Sequence, residues 1–239
     1  MKLCRFSIIT LSYNNFDDFI ITYNSVVNQL NADDQYIIVD ACSTGKLSRF
    51  LKRVNDSRVK ILYQNPEGVY SALNCGLSYA ENDIVSIIHS GDFFLTNTLS
   101  IVKSEFKNCD ILFGSLWKEH FTKKYYYINN VNVPTKIHEM KLNHVHPSVF
   151  VHSSVYRETK FNSTYKISSD LEFFLKCFKK KCKFKKINFP LTVMSSGGIS
   201  TNKLISSLEG LVIRLQFMSF SHSFCPFILQ LIKYITRRY

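Results

Sequence analysis

Short β-branched runs alternate along the chain with stretches whose apolar residues recur at helical spacing, the pattern of βαβ units. The first run, Ser7-Ile-Ile-Thr-Leu-Ser-Tyr-Asn14, stops in polar residues, and so does the second, Tyr36-Ile-Ile-Val-Asp-Ala-Cys-Ser-Thr44. Between them Phe16 to Leu30 is apolar at helical spacing. Parallel strands of one unit point their carboxyl ends the same way. Thr10, Tyr13 and Asp40 are therefore expected to converge on a crevice at one sheet edge, where a nucleotide is the natural guest.

Val59-Lys-Ile-Leu-Tyr63 predicts a third strand, and Gly68 opens a helix through Ala72, Leu73, Leu77 and Ala80. Ile84-Val-Ser-Ile-Ile88 is apolar enough to be central in a sheet, and it ends in His89-Ser-Gly-Asp92, again a strand end that carries a carboxylate. A helix is expected from Thr96 to Phe106. From Ile111 to Ile128 the texture turns to short aromatic strands that include Tyr125, Tyr126 and Tyr127. His146-Pro-Ser-Val-Phe-Val-His152 predicts one more strand, and Ser168-Ser-Asp170 reads as the start of a helix through Leu171, Phe174, Leu175 and Phe178.

A chain of 239 residues with 46% hydrophobic content holds one large α/β domain, or a domain with a tail. No positively charged start precedes an apolar signal core, so a cytosolic protein is expected. Its seven cysteines are scattered and form no Cys-x-x-Cys pair, which predicts reduced thiols. The net charge of +12 points to nucleic acid or anionic lipid. Lys176 to Lys186 holds seven lysines interleaved with Phe178 and Phe184, as in a solvated helix face that runs into a strand. The end of the chain differs: Leu211, Val212, Ile213, Leu215, Phe217, Met218 and Phe220 precede Pro226 and a second apolar run, Phe227 to Ile232. Both runs are too short, and too interrupted by Arg214, His222 and Lys233, to cross a bilayer. They predict amphipathic helices that lie in a membrane surface or pack on the domain or a partner.

The order Ser-Ile-Ile-Thr-x-x-Tyr-Asn14, Ser25-Val-Val-Asn-Gln29, Ile-Ile-Val-Asp40 with Ser43-Thr44, Gly68-Val-Tyr-x-Ala-Leu-Asn74-x-Gly76, Ser90-Gly-Asp92, His146-x-Ser-Val-Phe and Ser-Asp170-x-Glu-Phe closely resembles the family-2 inverting glycosyltransferases. The nearest subgroup is that of bacterial enzymes that build colanic acid, O-antigen and similar surface polysaccharides. The resemblance implies an α/β protein of GT-A fold, with a mostly parallel, Rossmann-like nucleotide-sugar sheet (1–92) fused to an acceptor half (93–202). An amphipathic tail (203–239) would contact membrane or partner.

By the same resemblance, Thr10 and Tyr13 hold the nucleotide base, Asp40 accepts hydrogen bonds from base or ribose, and Asn74 and Ser90 join the donor site. Asp92 is the last carboxylate of a metal-binding sequence, for Mg²⁺ or Mn²⁺ that offsets charge on the departing diphosphate, and His146 binds the metal or a phosphate oxygen. Many relatives carry Asp where this chain has His89 and Gly91, and Ser-Thr-Asp-Gly where it has Ser43-Thr-Gly-Lys46. Asp170 is the expected base that takes the proton from the acceptor hydroxyl. Glu172 lies about 200° further round the helix and so points elsewhere.

The function implied is transfer of a sugar from a UDP-, GDP- or dTDP-sugar to a lipid-linked saccharide, by a cytoplasmic enzyme peripheral on the inner face of the bacterial membrane. A catalytically impaired nucleotide-sugar-binding protein of the same fold is the main alternative, because the metal sequence is thinned. A dinucleotide oxidoreductase is excluded by Ser12-Tyr-Asn-Asn15 in place of a Gly-x-Gly-x-x-Gly turn. Nucleic-acid binding rests on charge alone, without a recognised module, and is not expected.

Overall fold

The computed structural model describes residues 4–119, 124–128, 133–139, 146–196, 202–224 and 227–228. The last apolar run expected in the tail lies largely outside them. Strands β1 (Phe6–Ser12), β2 (Gln35–Asp40), β3 (Val59–Tyr63) and β4 (Ile84–Ile87) alternate with helices α1 (Phe16–Val27), α2 (Gly45–Leu51) and α3 (Val69–Ser78). The second half runs β5 (Phe93–Phe94), α4 (Thr98–Glu105), β6 (Ile111–Glu119), β7 (Tyr125–Ile128), β8 (Val149–His152), α5 (Ser153–Glu158), α6 (Ser169–Lys179), β9 (Phe184–Met194) and α7 (Lys203–Phe217).

All these strands join one sheet in the order β3-β2-β1-β4-β8-β6-β9-β5, with β7 paired to β6. The expected parallel half is present: β1 pairs in parallel with both β2 and β4, and β2 with β3. β8 then runs antiparallel to β4 and β6, which welds the second half onto the first. The chain winds outward from β1 through β2 to β3 and returns to place β4 on the other side of β1. That reversal opens a crevice at the carboxyl ends of β1 and β4.

Alternate residues of each strand feed two cores. On one face Phe6, Ile8, Tyr36 and Ile38 meet Phe19 and Val26 of α1, Leu47 and Leu51 of α2, and Leu99 and Val102 of α4. On the other, Ile9, Ile37, Val39 and Val85 meet Leu73 of α3, with Phe173, Phe174 and Leu175 of α6. Gly76 lets α3 lie close on the sheet, since a Cβ there would stand 2.8 Å from Ile9 Cγ2 and 3.1 Å from Val39 Cγ2. The Ser25-Val-Val-Asn-Gln29 sequence proves structural: Ser25 Oγ accepts from Phe94 N–H, and Gln29 bonds Leu95 O and Leu99 N–H. It pins the second half to α1.

The structure departs from the sequence expectations at short elements. α2 and α5 have seven and six residues, too few for a periodic signal. His146–Ser148 form a 3-10 turn, and the strand expected from His146 begins only at Val149. The boundary expected at residue 202 is not a break in packing. Ile213 of α7 is fully buried in the core that includes Phe173 and Phe174, and Glu209 bonds backbone in the loop before α6. α7 therefore belongs to the same body as the sheet.

Candidate active site

The carboxyl ends of β1, β2 and β4 carry Tyr13, Asp40, Ser90 and Asp92 of the residues that the sequence singled out. Tyr13 follows β1 and is 58% exposed, so its ring is free to cover a flat ligand. Asp40, the last residue of β2, is fully buried. Its Oδ1 accepts from Ser12 Oγ at 2.8 Å and Ser43 Oγ at 2.6 Å, and its Oδ2 from Ser43 N–H at 2.7 Å. Asn14 adds a bond to Thr44 N–H, and its own N–H donates to Ser43 Oγ. Asp40 thus ties the β1 and β2 ends into one rim.

Thr10 does not line this rim. It is fully buried on the α1 face, where its Oγ1 accepts from the Tyr36 hydroxyl at 3.0 Å, so it supports the crevice from beneath. Asn74 also takes a different place. Its Nδ2 donates to Phe161 O at 2.8 Å and its Oδ1 accepts from Phe161 N–H at 3.1 Å, so its amide clamps the loop between α5 and α6. Tyr70 of the same helix donates its hydroxyl to Ile167 O. The Gly68-Val-Tyr-x-Ala-Leu-Asn74 sequence therefore holds a loop.

Beyond β4 the chain turns sharply at Gly91, whose φ of +99° favours glycine. Thr22 of α1 shapes the turn by accepting from Gly91 N–H and donating to Asp92 O. Ser195, at the end of β9, donates its N–H to Asp92 Oδ1 at 2.9 Å and its hydroxyl to Gly91 O. Among the described residues Ser90 Oγ in this turn is buried with no hydrogen-bond partner. Asp92 is 6% exposed, and burial pushes its carboxyl up to about 7, against the Ser195 N–H and the more distant Lys118.

Among the described residues no cation pairs with Asp92, and no group of three or more His, Cys, Asp or Glu side chains is placed to hold a metal. A buried carboxylate with no direct ion-pair partner among the described residues suits one divalent cation whose other ligands come from a bound diphosphate. His146 sits in the 3-10 turn before β8, level with the end of β4. Its ring lies against Phe161 and Phe174, and its Nε2 is 3.9 Å from Asp170 Oδ2. The structure thus brings together His146 and the expected base.

Asp170 stands in the first turn of α6, where its Oδ1 accepts from Leu171 N–H at 2.8 Å. Desolvation pushes its carboxyl up to about 7, reinforced by the negative Glu209 and opposed by backbone N–H groups. A carboxylate poised there accepts a proton near neutral pH. Sequence reasoning missed Thr22, Ser195 and Glu209. For Ser195 a signal existed, since the polar pair Ser195-Ser196 ends an apolar strand as the other site segments do.

The comparisons agree with this architecture. The family model described as Glycosyl transferase family 2 matches residues 7–167, more than half of the chain, and the protein belongs to that family. An uncharacterized glycosyltransferase of Rickettsia bellii is 23% identical over 55% of this chain and 19% of that protein. The Escherichia coli UDP-Glc:alpha-D-GlcNAc-diphosphoundecaprenol beta-1,3-glucosyltransferase WfaP is 30% identical over 39% of this chain and 38% of that protein. The matches thus span less than half the length of either relative. Crystal structures of S. aureus TarS residues 1–349 share the fold. The complex with UDP-GlcNAc has a TM-score of 0.68 at 17% identity, over 92% of this chain and 69% of that one. The complex with UDP has a TM-score of 0.64 at 19% identity.

The two raised carboxyls make a pH-dependent prediction. A folded-state value of about 7 against 3.8 means that the folded protein holds these protons more tightly than the unfolded chain. The stability this provides is full below about pH 4 and is lost as pH rises through 7. Asp170→Asn and Asp92→Asn, which keep an acceptor oxygen, should each raise Tm relative to the native protein at pH 8 and have little effect at pH 4. Calorimetry at both values checks this; a Tm difference independent of pH would contradict it.

Proposed function

We propose that the protein transfers a sugar, with inversion, from a nucleotide-sugar donor to a lipid-linked saccharide during synthesis of a bacterial surface polysaccharide. The observation that carries this reading is the Asp170 carboxyl, desolvated and poised near neutral pH beside His146 at the edge where the parallel strands end. Tyr13 covers the base, and the Asp40 rim supports the nucleoside through the Ser43 and Thr44 backbone. Asp170 removes the proton from an acceptor hydroxyl as that oxygen attacks the anomeric carbon. The bond to the diphosphate breaks on the opposite face, which inverts the centre. The Ser90 hydroxyl is available to the departing phosphate. When a divalent cation is bound, Asp92 would hold it, and it would neutralise charge on the diphosphate.

The donor is proposed to be a UDP-sugar, supported by the UDP and UDP-GlcNAc in the TarS complexes. The acceptor class is supported by the lipid diphosphate in the name of WfaP. Binding to the inner membrane face is supported by α7. Leu204, Leu208, Val212 and Leu215 recur along its outward side and each is 44% exposed or more. Among the described residues no helix is long and apolar enough to cross a membrane.

Two measurements test the proposal. Asp170→Asn should lower turnover by about 10²–10⁴-fold while UDP affinity by calorimetry stays within about twofold. The native rate should rise with pH through about 7, as the base loses its proton. Native-like turnover by the variant would remove Asp170 from the reaction. Separately, Leu208→Glu with Val212→Glu should abolish cosedimentation with vesicles containing anionic lipid, and equal sedimentation of variant and native protein would refute the membrane role.

A further inference from the structure

Asp170 stands in the first turn of α6, with His146 Nε2 3.9 Å from its Oδ2. Its own hydrogen bond is to the next residue, Leu171, and Ser168, the residue that precedes α6, makes no side-chain capping bond to the helix. The turn that leads into the helix is held in part from outside, by α7. Glu209 Oε1 accepts from Lys166 N–H at 2.7 Å, and Glu209 Oε2 accepts from both Ile167 N–H and Ser168 N–H at 2.9 Å. Ser168 Oγ reaches back to Ser206 O at 3.3 Å. A carboxylate that receives three backbone donors in a row makes strong, charge-assisted bonds, and it lies where the positive end of the α6 dipole favours it.

We infer that Glu209 is a positioning residue of the transfer reaction: through the backbone of residues 166–168 it fixes the turn that presents Asp170 to the acceptor. This rests on the reading of Asp170 as the base. The backbone carbonyl of Ile167 is gripped at the same time by Tyr70 of α3, so the turn is held by two helices. Both oxygens of Glu209 are engaged, which makes the site intolerant of an amide. Glutamine would turn an NH₂ group toward N–H donors and leave at least one of them unsatisfied. The C-terminal helix then has a catalytic consequence separate from its exposed apolar side.

The test compares native protein with Glu209→Gln, Glu209→Asp and Asp170→Asn. UDP-glucose is the donor, and a short-chain lipid diphosphate carrying GlcNAc is the acceptor. In Glu209→Gln, hydrogen exchange at the amides of residues 166–168 should quicken by about tenfold or more, while β1 and β4 amides keep their protection and so report an intact fold. Its kcat should fall by about 10–10²-fold with the KM for UDP-glucose within about twofold, because a displaced base slows the chemical step without weakening donor binding. Glu209→Asp, which keeps the carboxylate, should recover part of both losses. Unchanged exchange at 166–168, or faster exchange with a native kcat, would overturn the inference even if Asp170→Asn is inactive. A native kcat in Asp170→Asn would instead overturn the reading of the base, and the exchange result would still decide whether Glu209 holds the turn.

Discussion

Everything in the site depends on the direction and register of β1 between its two parallel neighbours. Ser12 lies level with Asp40 in the β1–β2 ladder, and Ile9 level with Ile87 in the β1–β4 ladder. The strands consequently end at one edge, and the polar residues just past each end are delivered there together. A right-handed crossover through a helix is what makes neighbouring strands parallel, so the alternation of short apolar runs with helical stretches already commits the chain to such an edge. A shift of one residue in β1 would turn Ser12 away from Asp40 and move Thr10 out of its hydroxyl pair with Tyr36.

The acidic groups at this edge divide by their surroundings. Asp40 is buried but satisfied by hydroxyls and an N–H from its own rim, so it acts as a strut. Asp92 and Asp170 are desolvated with few donors, and both are pushed up to about 7. Such carboxyls cost stability at neutral pH, and they persist because the surrounding bonds hold the backbone in place: Thr22 and Ser195 around Asp92, Tyr70, Asn74 and Glu209 around Asp170. Their raised proton affinity and their cost have the same cause, burial with few compensating donors.

The fold was legible in the sequence where elements are long and periodic: β1 to β4, α1, α3 and α6 fall where the pattern placed them. α2 and α5 were not, because short helices leave no period to read. Among the site residues, position along a strand was legible and side-chain direction was not. Thr10 lies within β1, two residues before its end at Ser12, and faces the α1 core, a difference of one residue in an alternating strand. The family resemblance implies a donor-site role for Asn74, whereas its amide is engaged by Phe161, a partner 87 residues away that local pattern cannot reveal. Glu209 was invisible for the same reason, since its partners lie across a tertiary contact and its sequence surroundings resemble a surface helix.

The central claim is that a single carboxylate, Asp170, acts as base toward an acceptor hydroxyl, so that the sugar is displaced once and from the face opposite the diphosphate. The anomeric configuration of the product reports this directly. With an α-linked UDP-sugar as donor, proton NMR of the purified product should show a β-glycosidic linkage and no α anomer. A product that retains the α configuration would contradict the account, because retention excludes a single displacement driven by Asp170 as base.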